Sequence, residues 1–204
     1  MAQELWLIRH GETEWSLSGA HTGLTDLPLT DRGRTRAAKM RCVLSGCRFA
    51  LVLTSPMARA RETCRLAGFG DAAQVEANLC EWNYGDYEGR TTNQIRAQSP
   101  SWNLWVDGVP NGETIDQVAD RARAVIARAQ AAPGNVALFA HGHILRILTA
   151  CWLDLPPQAG RLFALGTASV SRLGNERENH VIAHWNQQEE ACADGADVGH
   201  AGNG

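Results

Sequence analysis

Two short apolar runs, Leu5–Ile8 and Val136–Ala140, are each followed closely by a histidine-glycine pair, His10-Gly11 and His141-Gly142. Apolar runs of this length bounded by turn formers read as strands buried on both faces. Between and around them the pattern alternates. A strand over Glu4–Arg9 is followed by a helix over Asp31–Ser45, with Ala37, Met40 and Leu44 on one face, and by a strand over Ala50–Leu53. Ser55-Pro56 predicts a helix start, with Ser55 as N-cap and Pro56 at the first helical position, running to about Ala67. Thr114 and Gln117 form a capping box ahead of an apolar stripe of Ile115, Val118, Ala122, Val125, Ile126 and Ala129, which Pro133-Gly134 ends. The Val136–Ala140 strand leads into a helix to about Trp152, and two further strands are expected near Ala168–Leu173 and Val181–Trp185. This alternation predicts an α/β fold, a three-layer α/β/α sandwich around a mostly parallel mixed sheet. Ligands of such sheets bind beyond the carboxyl ends of the strands. His10 and His141 both fall there.

The chain of 204 residues suits one domain, expected over 1–186, with a loose Gly-, Ala- and acid-rich tail over 187–204. With a formal net charge of −3 there is no basic excess to suggest nucleic acid or an anionic membrane as partner. No run approaches the ~20 apolar residues of a membrane span, and no basic leader precedes Leu5, so the expected location is cytoplasmic. The six cysteines are scattered without a C-x-x-C pair and read as reduced thiols. His141 and His143 are the one close pair that could seed a zinc set, and neither a metal nor a cofactor is expected. Lys39 is the only lysine, so a Gly-Lys-Ser/Thr phosphate loop is absent and a Schiff-base enzyme would have to use that one residue. A homo-oligomer stays open.

Four blocks carry chemistry. In Arg9-His10-Gly11-Glu12-Thr13, a neutral imidazole is a competent nucleophile near pH 7, and Arg9 beside it can grip phosphoryl oxygens through a planar fork. The alternative is a strand-end imidazole that caps a carbonyl. In Thr54-Ser55-Pro56-Met57-Ala58-Arg59, Arg59 sits in the first turns of a helix, where anions are favoured, whereas Arg61 and Arg65 read as solvated. In Glu81-Trp82-Asn83-Tyr84-Gly85-Asp86-Tyr87-Glu88-Gly89, a carboxyl beside Trp82 and Tyr84 becomes a usable acid, while Asp86 and Glu88 read as members of a surface turn. In Ala140-His141-Gly142-His143, His141 can donate to a phosphoryl oxygen, and His143 packs or caps.

The order of R-H-G-E-T, S-P-x-x-R-A-x-x-T, E-W-x-Y-G-x-Y-E-G and A-H-G-H resembles the histidine phosphatase, or phosphoglycerate mutase-like, superfamily over nearly the whole chain to about Trp185. The resemblance implies that fold, and a phosphomonoesterase acting on a small phosphorylated metabolite through a phosphohistidine. It implies His10 as the phosphorylated nucleophile and Arg9, Arg59 and His141 as holders of the phosphoryl group. Glu81 would protonate the leaving oxygen and then help activate water. Glu14-Trp15-Ser16-x-Ser18-Gly19, the stretch from Thr22-Gly23 to Thr30, and Trp102-x-x-Trp105 before Asp107-Gly108 resemble the branch holding sedoheptulose-1,7-bisphosphatase and broad acid phosphatases. Ser16, His21, Thr22 and Gly23 are then expected to line the substrate site, with Ser16 standing where many members carry Asn. Trp15, Trp102 and Trp105 suit core filling and a substrate wall equally. A phosphoglycerate mutase and a silent phosphate-binding module remain the alternatives.

Overall fold

The computed structural model describes residues 3–188. Its strands are β1 (Leu5–Arg9), β2 (Leu51–Thr54), β3 (Ala73–Val75), β4 (Val136–Ala140), β5 (Val170–Glu176) and β6 (Asn179–Gln187). Its helices are α1 (Glu14–Ser18), α2 (Asp31–Val43), α3 (Ala58–Leu66), α4 (Thr92–Arg96), α5 (Leu104–Asp107), α6 (Ile115–Gln130) and α7 (Gly142–Trp152). The six strands form one sheet in the order β3-β2-β4-β1-β5-β6. The first four run parallel, and β5 and β6 are antiparallel additions at one side.

Strand alternation divides the core into two layers. Leu5, Leu7, Leu53, Leu138 and Ala140 face α6 and α7, meeting Val118, Ala122, Val125, Ile144 and Leu148. Trp6, Ile8, Val52, Ala137 and Phe139 face the other way, onto Met40 of α2 and Cys64 of α3. The three-layer sandwich with a mostly parallel mixed sheet is therefore as expected. No helix of the described residues is long and apolar enough to cross a membrane.

Several boundaries differ from the sequence expectation. Thr114 and Gln117 do form their capping box, because both partners are local. Ser55 does not cap a helix. α3 starts at Ala58 with Met57 as its N-cap and no side-chain bond there, while the Ser55 hydroxyl accepts from the Met57 N–H at 3.3 Å in the turn ahead of the helix and is also bonded by His141. α2 stops at Val43 rather than Ser45. The two late strands are longer than expected and form a hairpin. β6 runs to Gln187, one residue past the expected domain end, and the rest of the expected tail, 189–204, lies outside the described residues. The short α4 and α5 and the edge strand β3 carry too few residues for a periodic signal.

Register places the site. β1 pairs with β4 from Leu5↔Val136 to Arg9↔Ala140, and β2 pairs with β4 up to Thr54↔Phe139. The backbone N–H of His10 donates to Ala140 O at 3.0 Å, and that of Ser55 to Phe139 O at 2.9 Å. His10, His141 and Ser55 thus leave three adjacent parallel strands at one level.

Candidate active site

Main-chain pairing brings the His10 and His141 rings to 5.1 Å between centroids. His10 is buried, and its Nδ1 lies 2.7 Å from the carbonyl of Gly11. A carbonyl only accepts, so Nδ1 carries the proton and Nε2 keeps a lone pair. The carbonyl-capping alternative and the nucleophile reading are therefore compatible, since the cap selects the tautomer that a nucleophile needs. Gly11 has no room for a side chain, because a Cβ would stand 2.7 Å from Gly33 O. Its N–H donates to Thr63 Oγ1 of α3.

A cavity of about 170 Å³ opens at this level. Arg9, His10, Ser16, His21, Thr22 and Glu81 of the expected site line it. The Arg9 guanidinium donates to Leu165 O, and its buried Nε has no partner in the protein. Glu81 is buried and accepts three backbone N–H groups, from Trp82 and Ile144 on Oε1 and from His143 on Oε2, each at 2.9 Å. The N-terminus of α7 thus holds the carboxylate, through donors that the helix leaves free.

Arg59, His141 and Gly23 are not among the residues lining the cavity. Arg59 is fully buried behind it. Its Nε donates to His141 Nδ1 at 3.1 Å, and its Nη groups donate to the carbonyls of Thr22, Gly23 and Thr25. His141 Nδ1 is then an acceptor, so Nε2 carries the proton and donates to Ser55 Oγ at 2.7 Å. Gly23 fits where a Cβ would lie 2.5 Å from Trp82 O. Ser16 lines the cavity, yet its hydroxyl bonds both the N–H and the carbonyl of Thr13 in a capping box, which leaves a poor donor for substrate. Glu88 is more than a turn residue, because it accepts from the N–H groups of Gly23 and Thr25 and pins their loop. Asp86 is exposed and bonds Asn111, as a surface turn requires.

The cavity also takes Tyr84, His143, Arg146 and Leu165, which the sequence reading did not assign to it. Tyr84 OH lies 2.6 Å from His143 Nδ1, and the Tyr84 ring packs on His21 at 4.8 Å. Arg146 had a signal, as the one arginine in a mostly apolar helix. Leu165 had none. Trp15, Trp102 and Trp105 do not line the cavity; Trp102 and Trp105 belong to the core. A larger depression of about 430 Å³ lies between α3 and β3, flanked by the exposed Arg61 and Arg65. The one thiol there, Cys64, is pushed up to about 12 by burial, so it stays protonated and inert. Among the described residues no group of three or more His, Cys, Asp or Glu is placed to hold a metal ion.

Burial is the main force on the site imidazoles. It holds His10 well below the usual value, with Arg9 and Arg59 adding to the effect. His141 is held down by burial and then by His10, Arg59 and Arg9. His143 and His21 shift the same way, again chiefly through burial. All four rings are neutral at pH 7. An unfolded chain takes up protons near the ordinary imidazole value of about 6.5, which the folded site refuses. Stability is therefore undiminished above about pH 6.5 and falls as pH drops toward the folded values. His10 and His141 should each cost about 1.4 kcal/mol per pH unit in that window. A melting temperature that falls between pH 7.5 and pH 5.5 in phosphate-free buffer is the expected result. A flat profile would contradict buried neutral rings.

The model of the histidine phosphatase superfamily, branch 1, matches residues 5–188. The chain belongs to the histidine phosphatase superfamily. It is 42% identical over 183 residues to an acid phosphatase of Mycobacterium tuberculosis, covering 88% of this chain and 90% of that one. It is 39% identical over 184 residues to sedoheptulose 1,7-bisphosphatase of Saccharomyces cerevisiae, covering 74% and 68% respectively. A solved structure of an open reading frame product of Mycobacterium tuberculosis superposes with a TM-score of 0.87 at 39% identity, covering 91% of this chain and 98% of that one. This histidine phosphatase is a phosphoric monoester hydrolase with the phosphoglycerate mutase-like fold.

Proposed function

We propose that this histidine phosphatase hydrolyses a small phosphorylated metabolite, a sugar phosphate or bisphosphate, through a phosphohistidine at His10. The observation that carries the reading is the His10 Nδ1–Gly11 bond, which leaves Nε2 unprotonated at the cavity wall beside Arg9. Nε2 attacks phosphorus as the P–O bond to the leaving group breaks, and the departing alkoxide takes a proton from the Glu81 carboxyl. Water then attacks the phosphohistidine, gives its proton to Glu81 and releases inorganic phosphate. Arg9 holds the charge that builds on the transferring group. Arg59 adds positive potential from behind. His141 takes part by exchanging Ser55 for a phosphoryl oxygen, its ring standing 5.1 Å from the His10 ring between centroids. Ser16, His21, Thr22 and Gly23 shape the wall, Ser16 through the backbone it caps. The guanidinium groups supply the charge that a metal would otherwise bring.

The name of the yeast relative supports a sugar phosphate, and the small cavity supports a small substrate. The free thiols of the described residues fit a cytoplasmic site of action. The test is phosphate release from a panel of phosphosugars, phosphorylated acids and phosphoproteins, with and without EDTA. Small phosphosugars should be turned over fastest, with rates unchanged by chelation. A preference for phosphoproteins, or loss of activity restored by a divalent ion, would refute the reading.

A further inference from the structure

We infer that the cavity contains a second oxyanion subsite built on Arg146, so that the preferred substrate carries a phosphate or carboxylate at the end remote from the transferred phosphoryl group. This rests on the phosphatase reading of His10 and extends it to the leaving group.

Arg146 follows His141 on α7 and lines the same cavity as His10 and Arg9. Its guanidinium is locked in place. It lies 4.6 Å from the centre of the Trp105 ring, donates from Nε to Gly160 O at 3.0 Å, and donates from Nη2 to Arg161 O at 3.1 Å. Gly160 is tight against the same ring, since a Cβ there would fall 2.8 Å from Trp105 Cζ3. The stack of Gly160, Trp105 and Arg146 leaves the cation little freedom. Such a fork loses little entropy when it binds an oxyanion.

Arg146 also makes no ion pair, the one carboxylate whose charge acts on it being Glu81 of the same cavity. Three other arginines with partly covered side chains have one: Arg121 pairs with Glu113, Arg172 with Glu4 and Arg34 with Glu62. Among the described residues no carboxylate stands within ion-pair distance of Arg146, and its Nη1 makes no hydrogen bond to the protein. A cation taken partly out of water without a partner is costly unless a ligand supplies one. Arg9, the other unpaired cation of the cavity, is committed to the transferring phosphoryl group in the proposed reaction, so Arg146 is left for a different anion.

Cavity size points the same way. A volume of about 170 Å³, lined by His10 and Arg9 and also by Arg146, is well below the roughly 300–1,000 Å³ of pockets that enclose a whole ligand, so a sugar phosphate seated at His10 must bring its leaving group against the rest of the lining. The leaving group must extend past the neutral wall of His21, Tyr84 and His143. His21 Nε2 on that wall is buried without a partner in the protein, which suits contact with a sugar hydroxyl.

The experiment compares Arg146→Met and Arg146→Lys with the parent protein. The substrates are a hexose bisphosphate, an aldonic acid phosphate with a distal carboxylate, the matching hexose monophosphate, and p-nitrophenyl phosphate. The readout is kcat/KM for each metabolite divided by that for p-nitrophenyl phosphate. Arg146→Met should lower this ratio roughly 10- to 100-fold for one or both of the doubly anionic substrates, mainly through KM, as loss of a charge-assisted contact requires. Which of the two falls identifies the group. The ratio for the hexose monophosphate should move far less, and Arg146→Lys should recover part of the loss. Equal changes for all substrates, or none, would overturn the subsite. Should the parent protein fail on p-nitrophenyl phosphate, the phosphatase reading fails first. The subsite is then judged by calorimetric binding of the bisphosphate against the monophosphate, with and without Arg146→Met. A bisphosphate advantage removed by the substitution supports it, and no advantage overturns it.

Discussion

His10→Ala should abolish turnover, with a fall in kcat of at least about 10⁴-fold, while the protein stays folded. The nucleophile is set by three features at once. The β1/β4 register fixes its backbone, the Gly11 carbonyl fixes its tautomer, and burial beside Arg9 and Arg59 keeps the ring neutral. Of the other imidazoles, His21 lines the cavity with its Nε2 unpartnered, but no backbone carbonyl fixes its tautomer as Gly11 fixes that of His10. His143 Nδ1 is engaged by Tyr84, while His141 stands behind the wall with both ring nitrogens bonded. The substitution leaves the Gly11 carbonyl without its donor, a cost of about 1–3 kcal/mol that is a fraction of the stability of an ordinary domain, so the fold should survive. In the parent protein, quenching at alkaline pH during turnover of ³²P-labelled substrate should trap acid-labile, base-stable phosphohistidine. The variant should show none. A folded His10→Ala protein with substantial activity, or label on another residue, would remove His10 from the mechanism.

Glu81→Gln should slow hydrolysis of alkyl phosphates about 10²- to 10⁴-fold and that of p-nitrophenyl phosphate much less. An alkoxide must be protonated as it leaves, and p-nitrophenolate leaves without help. The substitution has a second effect. The carboxylate uses both oxygens as acceptors, for Trp82 and Ile144 on one side and His143 on the other. Glutamine has one acceptor oxygen, so its amide NH₂ meets one of these N–H groups donor to donor. About 1–3 kcal/mol of stability should be lost as well. The ratio of rates on the two substrates separates acid catalysis from this loss of support for α7. Equal losses would make Glu81 a brace for α7, or a base needed only when water attacks.

The parts of the fold legible in the sequence are those whose causes are local. β1 and β4 announce themselves as apolar runs with a histidine at their ends, and α6 by its capping box and apolar stripe. The parts that were not legible depend on distant partners. Ser55 has every local mark of an N-cap, but its hydroxyl closes only a turn onto the Met57 N–H and is shared with His141, 86 residues away. Ser16 was expected to face substrate, and its hydroxyl folds back on Thr13. Arg59 and His141 were expected in the cavity and stand behind it, because the 22–25 loop draws the Arg59 donors onto its carbonyls. Glu88 looked like a turn residue because its partners, Gly23 and Thr25, lie more than 60 positions earlier. Arg146 escaped notice because an arginine on a helix is ordinarily solvated, and only the packed structure shows it over Trp105 at the cavity.

The ladder that sets His10 beside His141 is made of main-chain bonds, which persist whichever apolar side chains occupy β1 and β4. The wall facing the leaving group is made of side chains at positions 16, 21, 22, 84, 143 and 146, three on loops and three on the helices α1 and α7. Descendants of such a chain can therefore exchange the wall one residue at a time and acquire new substrates, while the point at which phosphorus is attacked stays where the backbone put it.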